Sequence, residues 1–526
     1  MSSIRIMTSH LRPRPDRPVA LIPAGVGAFI ALVAVSGFAQ DAGSRPSGSG
    51  QGIAIVPRLS VTETFTDNVS LRSVGKQSEL ITDVSPGILI SSGSGRFRGF
   101  IDYSLHKTFY AQNSSSSRSQ NLLNAAGTFE AVDNWAYLDF SGNVSRQAIS
   151  AFGLQSPDNA SVNPNLTETR SLRLSPYLRG QLSTFAAYEA RYSLTTNRSV
   201  SGLASDVTTN EGLIRLSGRT PAARFGWGLD ASRQKTDYRA GRSTEADTLK
   251  GTLTYTVVPQ LNFSVSGGQE ANNFTSANKQ SSFTSGLGVN WIPSENTRLS
   301  ASRQNRSFGE SHSFTFDHRT ARTAWRFSDS KDISVTPSGT GLGGLGSTYD
   351  LYFSQFASIQ PDPVLRAALV NSFLQANAIN PNVAVVSGFL TSAASLQRRQ
   401  DISFTLLGVR DTLTFLATRT SGSRLDSVAV ANDDLANSAA VRQNGFSVSY
   451  AHRLTPDASL NVLASLQKAS DGLGLQNTST KSVNVTVSTR LTRQSTAVLG
   501  VRRVVFESQT APYTESAITG ALNVQF

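Results

Sequence analysis

From Ile53 to Phe526 the chain alternates apolar and small polar residues in runs of about ten. Val483, Val485, Val487, Thr489 and Leu491 share one parity, and Ser482, Asn484, Thr486, Ser488 and Arg490 share the other. Leu249, Gly251, Leu253, Tyr255 and Val257 stand in the same way against Lys250, Thr252, Thr254 and Thr256. Phe97, Gly99, Ile101, Tyr103 and Leu105 stand against Arg96, Arg98, Asp102, Ser104 and His106. A period of two is what a strand requires, because its successive side chains point to opposite faces.

The connections alternate as well. Short turns rich in Pro, Asp and Asn recur, as at Asp133-Asn134, Val258-Pro259-Gln260, Pro293-Ser294-Glu295-Asn296, Asp329-Ser330-Lys331 and Thr455-Pro456-Asp457-Ala458. Between them lie longer Ser/Asn/Gly-rich segments near 112–119, 151–166, 197–208, 270–279 and 420–435. Short turns at one end and long loops at the other are the pattern of an outer-membrane barrel. Turns placed near 94, 133, 181, 221, 259, 294, 330, 410, 456 and 493 join eleven hairpins. The fold class expected is therefore all-β, a transmembrane antiparallel β-barrel of about 22 strands, give or take two. A wide gap between 330 and 410 holds an insertion at about 337–396, with a predicted helix over Asp362–Ala376 that would present Leu365, Ala368, Leu369 and Phe373 on one face.

The last strand is written most plainly. Ile518, Gly520, Leu522, Val524 and Phe526 occupy alternate positions and the chain ends on an aromatic, which reads as a C-terminal assembly signal for barrel assembly machinery. Trp135, Trp291 and Trp325 each lie close to an expected short turn, where an interfacial aromatic girdle belongs.

The amino terminus has a different character. Arg5, Arg12, Arg14 and Arg17 precede an apolar stretch from Val19 to Ala39 that ends Gly37-Phe38-Ala39, so residues 1–39 read as a cleaved signal peptide and 40–52 as a flexible lead-in. Removing four Arg and one Asp takes the formal charge from +12 to +9. Charged residues are only 16% of the chain, and there is no cysteine, which excludes disulfide scaffolds, thiol redox centres and Cys-ligated metals.

Candidate chemistry is sparse. Gly341, Gly343 and Gly346 complete a G-x-G-x-x-G without a βαβ context and read as loop. His312 and His318 would share a strand face, but Asp317 would point away, so no metal site is nominated. His106 and His452 have serines nearby, yet no nucleophile elbow or H-E-x-x-H occurs. No catalytic residue, cofactor or enzyme activity is expected. With no Lys/Arg-rich run, nucleic acid is not an expected partner.

Arginine is more informative: the chain has 40 Arg and 8 Lys. Arg96, Arg98, Arg173, Arg179, Arg215, Arg219, Arg298, Arg326 and Arg490 take the polar parity and so face the lumen. Arg96, Arg98, Arg179, Arg219, Arg298, Arg326 and Arg490 are the candidate basic collar at the short-turn mouth, since rings of Arg favour anions. The competing reading is that these arginines pair with lumen carboxylates.

The start of the mature chain carries a resemblance. Thr62-Glu63-Thr64-Phe65-Thr66-Asp67-Asn68-Val69 leads into Ile81-Thr82-Asp83-Val84-Ser85-Pro86-Gly87. These T-x-T-x-x-D-N-V and I-T-x-x-x-P-G elements, with Asp401–Leu413 and the closing strand, make the chain similar to the uncharacterised outer-membrane barrels associated with PEP-CTERM/exosortase exopolysaccharide systems. The resemblance implies a Gram-negative cell outer membrane and that genetic context, and no catalytic residues. Asp67-Asn68 is expected to cap the first loop. The function expected on these grounds is a passive conduit or scaffold associated with exopolysaccharide export, with outer-membrane lipid, an anionic polysaccharide and periplasmic export components as partners. Two alternatives stand beside it: a general or anion-selective porin for small solutes, and a structural anchor or barrel-borne enzyme without transport.

Overall fold

A computed structural model describes residues 52–526 except 94, 114–115, 157, 185, 201–205, 221–223, 240, 336–348, 350–351, 354–355, 357–365, 368, 371–387, 392 and 426–433. The expected signal peptide and lead-in lie outside the described residues, apart from Gly52. The first strands are β1 (Ile53–Thr66), β2 (Glu79–Ser92), β3 (Phe97–Tyr110), β4 (Arg118–Val132), β5 (Ala136–Ala148), β6 (Leu166–Ser183), β7 (Ala186–Ser199) and β8 (Val207–Arg219). There follow β9 (Phe225–Tyr238), β10 (Thr244–Val258), β11 (Leu261–Asn272), β12 (Gln280–Ser294), β13 (Thr297–Arg306), β14 (Gly309–Arg319) and β15 (Thr323–Ser334). The last are β16 (Ser395–Leu407), β17 (Asp411–Arg424), β18 (Ala440–Arg453), β19 (Ala458–Asp471), β20 (Asn477–Arg490), β21 (Ser495–Ser508) and β22 (Tyr513–Gln525).

Each strand pairs antiparallel with its sequence neighbours, and β1 pairs with β22 from Arg58↔Gln525 to Thr66↔Ala517. The sheet is thus a closed barrel of 22 strands. Closure leaves no edge, the condition for crossing lipid with strands. Most strands run 13–15 residues. About 9–11 residues suffice to span the hydrocarbon, so the wall projects beyond it.

The register fixes which parity faces in. Ile518, Leu522 and Phe526 of the closing strand are exposed on the outer wall, as are Leu249, Leu253, Val483 and Val487. The inner wall carries hydroxyl ladders such as Ser175–Ser193 at 2.9 Å, Ser459–Ser488 at 2.9 Å and Ser465–Ser482 at 2.7 Å. Cross-strand hydroxyl pairs of this kind hold register where no apolar core can. Trp135, Trp291 and Trp325 are half-exposed at the short-turn end, and Trp325 packs on Phe404 at 4.2 Å.

Ten short turns fall where strands meet, at 93–96, 133–135, 184–185, 220–224, 259–260, 295–296, 320–322, 408–410, 454–457 and 491–494. Asn134 takes a φ of +57° in the second, a left-handed conformation that Asn tolerates better than most residues. Two expectations need correction. Asp329-Ser330-Lys331 is not a turn but lies within β15, where Asp329 faces outward and accepts from Arg398 Nη2 at 2.7 Å. The real turn is 320–322, made by the Thr320 hydroxyl accepting from the amides of Arg322 (3.3 Å) and Thr323 (2.9 Å). A threonine hydroxyl is a weaker turn signal than Asp-Ser. The turn expected near 181 comes at 184–185 because β6 runs for 18 residues.

Glycine sites on the wall differ in what they permit. A Cβ on Gly268 of β11 would lie 2.1 Å from the Leu249 carbonyl oxygen and 2.8 Å from the Lys250 Cα, whereas one on Gly212 meets nothing within 4 Å. Gly268→Ala is therefore expected to destabilise the barrel by about 1–3 kcal/mol through overpacking, and Gly212→Ala to leave it unchanged. Urea titration of the heat-modifiable gel band compares the two; equal midpoints would refute the assignment.

Candidate functional site

The long-loop end is where distant strands are tied together. Asp67 and Asn68 follow β1. The Asn68 side chain is fully buried, donates to the carbonyls of Arg72 (2.7 Å) and Thr514 (3.0 Å) and accepts from the Arg72 amide (2.9 Å). Asp67 accepts from the Ser516 amide at 2.7 Å. The pair caps the first loop, as Asx chemistry suggested, and pins it to β22.

The β5–β6 loop, residues 149–165, reaches much further. Ser150 Oγ and the Ala151 amide donate to Asp434 at 2.8 and 2.6 Å, on the helical turn Asp434–Asn437 between β17 and β18. Thr478 of β20 donates to the Ala151 carbonyl, and the Tyr513 hydroxyl of β22 to the Gln155 carbonyl. Asp158 pairs with Arg502 of β21. The same guanidinium donates to Glu515 at 2.8 Å, and Thr66 donates to that carboxylate at 2.9 Å. Arg118 of β4 donates to the Ser161 carbonyl at 3.1 Å. The loop packs on three small apolar clusters: Ala151 and Phe152 with Leu435, Val441 and Phe389; Leu154 with Leu71, Val504, Phe506 and Tyr513; Ala160 and Val162 with Val69, Ile81 and Tyr110. Leu71 is buried in the second with φ at +52°, a strained conformation for a leucine that its surroundings must enforce. Together these contacts latch the loop to the rim from β18 across the β1–β22 seam to β4, nine of the 22 strands.

Described residues of the β15–β16 connection, 335–394, lie in the lumen. Phe389 bridges to Ala148, and the Leu390 amide donates to the Ala148 carbonyl at 3.2 Å. Its described helical residues include Tyr352, Arg366, Ala367 and Val370. Tyr352 and Val370 are fully buried in a cluster with Tyr349, Phe353 and Phe356. The Tyr352 hydroxyl lies beside Thr414 and Ser449, inward residues near the short-turn ends of β17 and β18. Arg366 stacks over Phe353 at 4.7 Å and is within electrostatic reach of Asp317, two residues from the short-turn end of β14. The described residues of the connection thus include Phe389 and Leu390 beside the long-loop end of β5 and Tyr352 near the short-turn ends of β17 and β18. Of the expected helical face only Leu369 is described, and it is 38% exposed, while Ala367 and Val370 are fully buried. Leu365, Ala368 and Phe373 lie outside the described residues.

The seven arginines of the candidate collar stand at the short-turn end. Arg98, Arg179, Arg219, Arg298, Arg326 and Arg490 take inward register positions, while Arg96 lies in the turn itself and pairs with Asp133 at 3.0 Å. Arg326 pairs with Asp317 at 3.3 Å. Arg179 donates to the Tyr137 hydroxyl at 3.0 Å and stacks on its ring. Farther up the lumen, Arg58 pairs with Asp102, and Arg191 with Asp139 (2.7 Å) and Glu189 (2.9 Å). His106 bonds to Asp83 at 2.9 Å, to Ser85 at 2.8 Å and to Ser104 at 3.2 Å, a cluster on β2 and β3. His312 and His318 face outward on β14 and bond to Asp329 and Thr297.

No family model matches the sequence, and no curated protein matches it. Solved structures similar in fold include the FrpB iron transporter of Neisseria meningitidis (F5-1 variant), 11% identical over 90% of this chain and 82% of that one, TM-score 0.48. The siderophore receptor PirA from Pseudomonas aeruginosa is 9% identical over 89% and 80%, TM-score 0.42. PirA from Acinetobacter baumannii is 10% identical over 89% and 80%, TM-score 0.42.

These findings correct the functional expectation. A passive conduit or scaffold for exopolysaccharide export, and equally an open porin, needs a free lumen. Described residues of the β15–β16 connection, Tyr352 and Val370 among them, are buried in this lumen, and the 149–165 loop is latched across its long-loop mouth. Nothing in the site favours the anchor or enzyme alternative over them.

Arg502 is the centre of the latch. Burial pushes the Asp158 carboxyl up, but Arg502 and the Ser161 amide and hydroxyl outweigh it and hold Asp158 below the usual carboxylate range. A depressed folded value means the latch keeps this stabilisation above the ordinary carboxylate value of about 3.9 and loses it as pH falls through the lower one. Arg502→Leu leaves Asp158 and Glu515 without their cation and is expected to cost about 3–5 kcal/mol. Limited proteolysis of 149–165 should accelerate in the variant at neutral pH, and in the wild type only below about pH 4. Identical cleavage rates across both comparisons would show that Arg502 does not hold the loop.

Proposed function

We propose that the protein is a gated uptake barrel of the cell outer membrane, closed at rest by its own β15–β16 segment and opened when a ligand engages the long-loop mouth. The observation that carries this reading is Tyr352 seated beside Thr414 and Ser449, deep in the lumen. Barrels of 22 strands are wide enough to need a plug, and outer-membrane transporters of that size carry one. The outward apolar wall and the half-exposed tryptophans at the short-turn end support membrane residence. The long-loop end then faces outside, and Ile518, Leu522 and Phe526 offer barrel assembly machinery an outward closing strand. Iron transport and siderophore reception belong to the similar structures by name. For this chain the uptake reading rests on its own plugged lumen, and its ligand is a solute from the external medium.

Planar-bilayer recording tests the gate. The wild-type barrel is expected to be nearly silent, and replacing 337–393 by a short Gly/Ser linker to raise conductance by at least about tenfold, as an emptied wide barrel should. A wild type that already conducts like an open pore, or a deletion that stays silent, would overturn the proposal.

A further inference from the structure

Above the apolar band, one sector of the outer wall is basic. Register aligns outward side chains of β16 to β20 into rows around the barrel. One row reads Arg398, Ser421, Arg442, Ser470 and Asn477; the next toward the short-turn end reads Gln400, Arg419, Asn444, Lys468 and Ser479. The row below is Ile402, Ala417, Phe446 and Leu466, ending on Lys481. The wall thus changes from charged to apolar within a single row. Charge on the lipid face is costly at the bilayer midplane and tolerated near the interface, so this step marks the level where hydrocarbon gives way to headgroups.

The two charged rows contain no acid. Arg398 is taken by Asp329 and Lys481 by Glu507, on the strands that flank the sector. Arg419, Arg442 and Lys468 are exposed and make no salt bridge among the described residues. Elsewhere at the long-loop end several outward cations are neutralised: Lys279 by Glu245 (2.8 Å) and Asp247 (2.7 Å), Arg303 by Glu310 (2.7 Å), Arg170 by Glu168 (2.8 Å). Lys107, Arg198 and Lys331 are outward without a salt bridge among the described residues, but no two of them stand on adjacent strands. Strand spacing puts Arg419 and Lys468, two strands apart in one row, about 10 Å from each other, with Arg442 one row higher on the strand between.

We infer that Arg419, Arg442 and Lys468 form a docking site for a bis-phosphorylated lipid headgroup of the outer leaflet, whose acyl chains lie down the wall over Phe446, Leu466 and Ile402. Guanidinium forks bind phosphate oxygens bidentately and the ammonium adds a point charge. A triangle of cations of this size matches two phosphates better than one. The inference rests on the outer-membrane reading above, because the long-loop end must face the outer leaflet.

Native mass spectrometry of the full barrel in neutral detergent, with diphosphoryl lipid A added, tests it. Wild type is expected to retain the lipid, and to prefer it by at least about tenfold over its fully dephosphorylated form and over phosphatidylglycerol. The triple variant Arg419→Gln, Arg442→Gln, Lys468→Gln should lose retention by at least about tenfold, while Lys250→Gln, on the lumen face, should not. Equal retention by the triple variant overturns the site. Equal binding of dephosphorylated lipid or of phosphatidylglycerol by the wild type overturns the bis-phosphate assignment without needing any variant. Heat-modifiable migration is read on the same samples. A wild type lacking it would overturn the membrane-barrel reading, and this inference with it, a failure distinct from a folded barrel that ignores the phosphates.

Discussion

The hydrogen-bonded seam between β1 and β22 is the constraint on which everything else depends. A strand in hydrocarbon cannot leave its amides and carbonyls unpaired. The chain meets that demand only when its last strand returns to its first, from Arg58↔Gln525 to Thr66↔Ala517. Closure sends one parity of every strand outward to lipid and the other inward. It also puts Thr66 and Glu515, 449 residues apart, within 2.9 Å. The latch around Arg502 is possible only because the seam brings β1, β21 and β22 together at one rim.

A barrel of this width has an inner wall that cannot pack against itself. The chain deals with this by hydroxyl ladders where the wall is bare and by inserted segments where it is covered. The acids that carry most of the burial lie at the long-loop end. Glu79 accepts the amides of Gln112 (2.8 Å) and Asn113 (3.1 Å), Glu270 takes Arg306 (2.8 Å), and Glu515 takes Arg502; all three are at most 2% exposed. A buried carboxylate is costly without partners, and each of these fixes a loop or a rim arginine as its partner. The loops at this end are therefore organised by charge as much as by apolar contact.

What could be read beforehand follows the range of the interactions. Strand parity and the short turns are local, so the period of two and the Asp/Asn/Pro clusters located nearly all of them. The exception, 320–322, turns on one Thr320 hydroxyl, while Asp329 drew attention as a turn residue although it serves an outward ion pair. Asn68 was legible as a cap because its partners include Arg72, four residues away. The latch was not, because Asp158 and Arg502 are separated by 344 residues and meet only after closure. Parity did hold one clue: Arg502 and Glu515 both fall on inward positions of adjacent strands. The insertion was visible, but no local pattern tells inside from outside. That is decided by Tyr352 and Val370 finding more apolar contact together in the lumen than water would allow.

The excess of arginine over lysine now has a physical basis. The ion pairs inside the wall are multidentate: Arg191 holds Asp139 and Glu189, Arg306 holds Glu270 and Asp332, and Arg502 holds Asp158 and Glu515. Arg118 takes the Asn159, Ala160 and Ser161 carbonyls of one loop. Each task needs several donors in a fixed plane, which a guanidinium supplies and an ammonium does not. These inward arginines are therefore cross-links between elements, and Arg191, Arg306 and Arg502 spend their charge on neighbouring carboxylates. The positive charge left over belongs in part to the outer wall, where Arg419, Arg442 and Lys468 make no salt bridge among the described residues, so the basic character of the chain describes its outer face as well as its lumen.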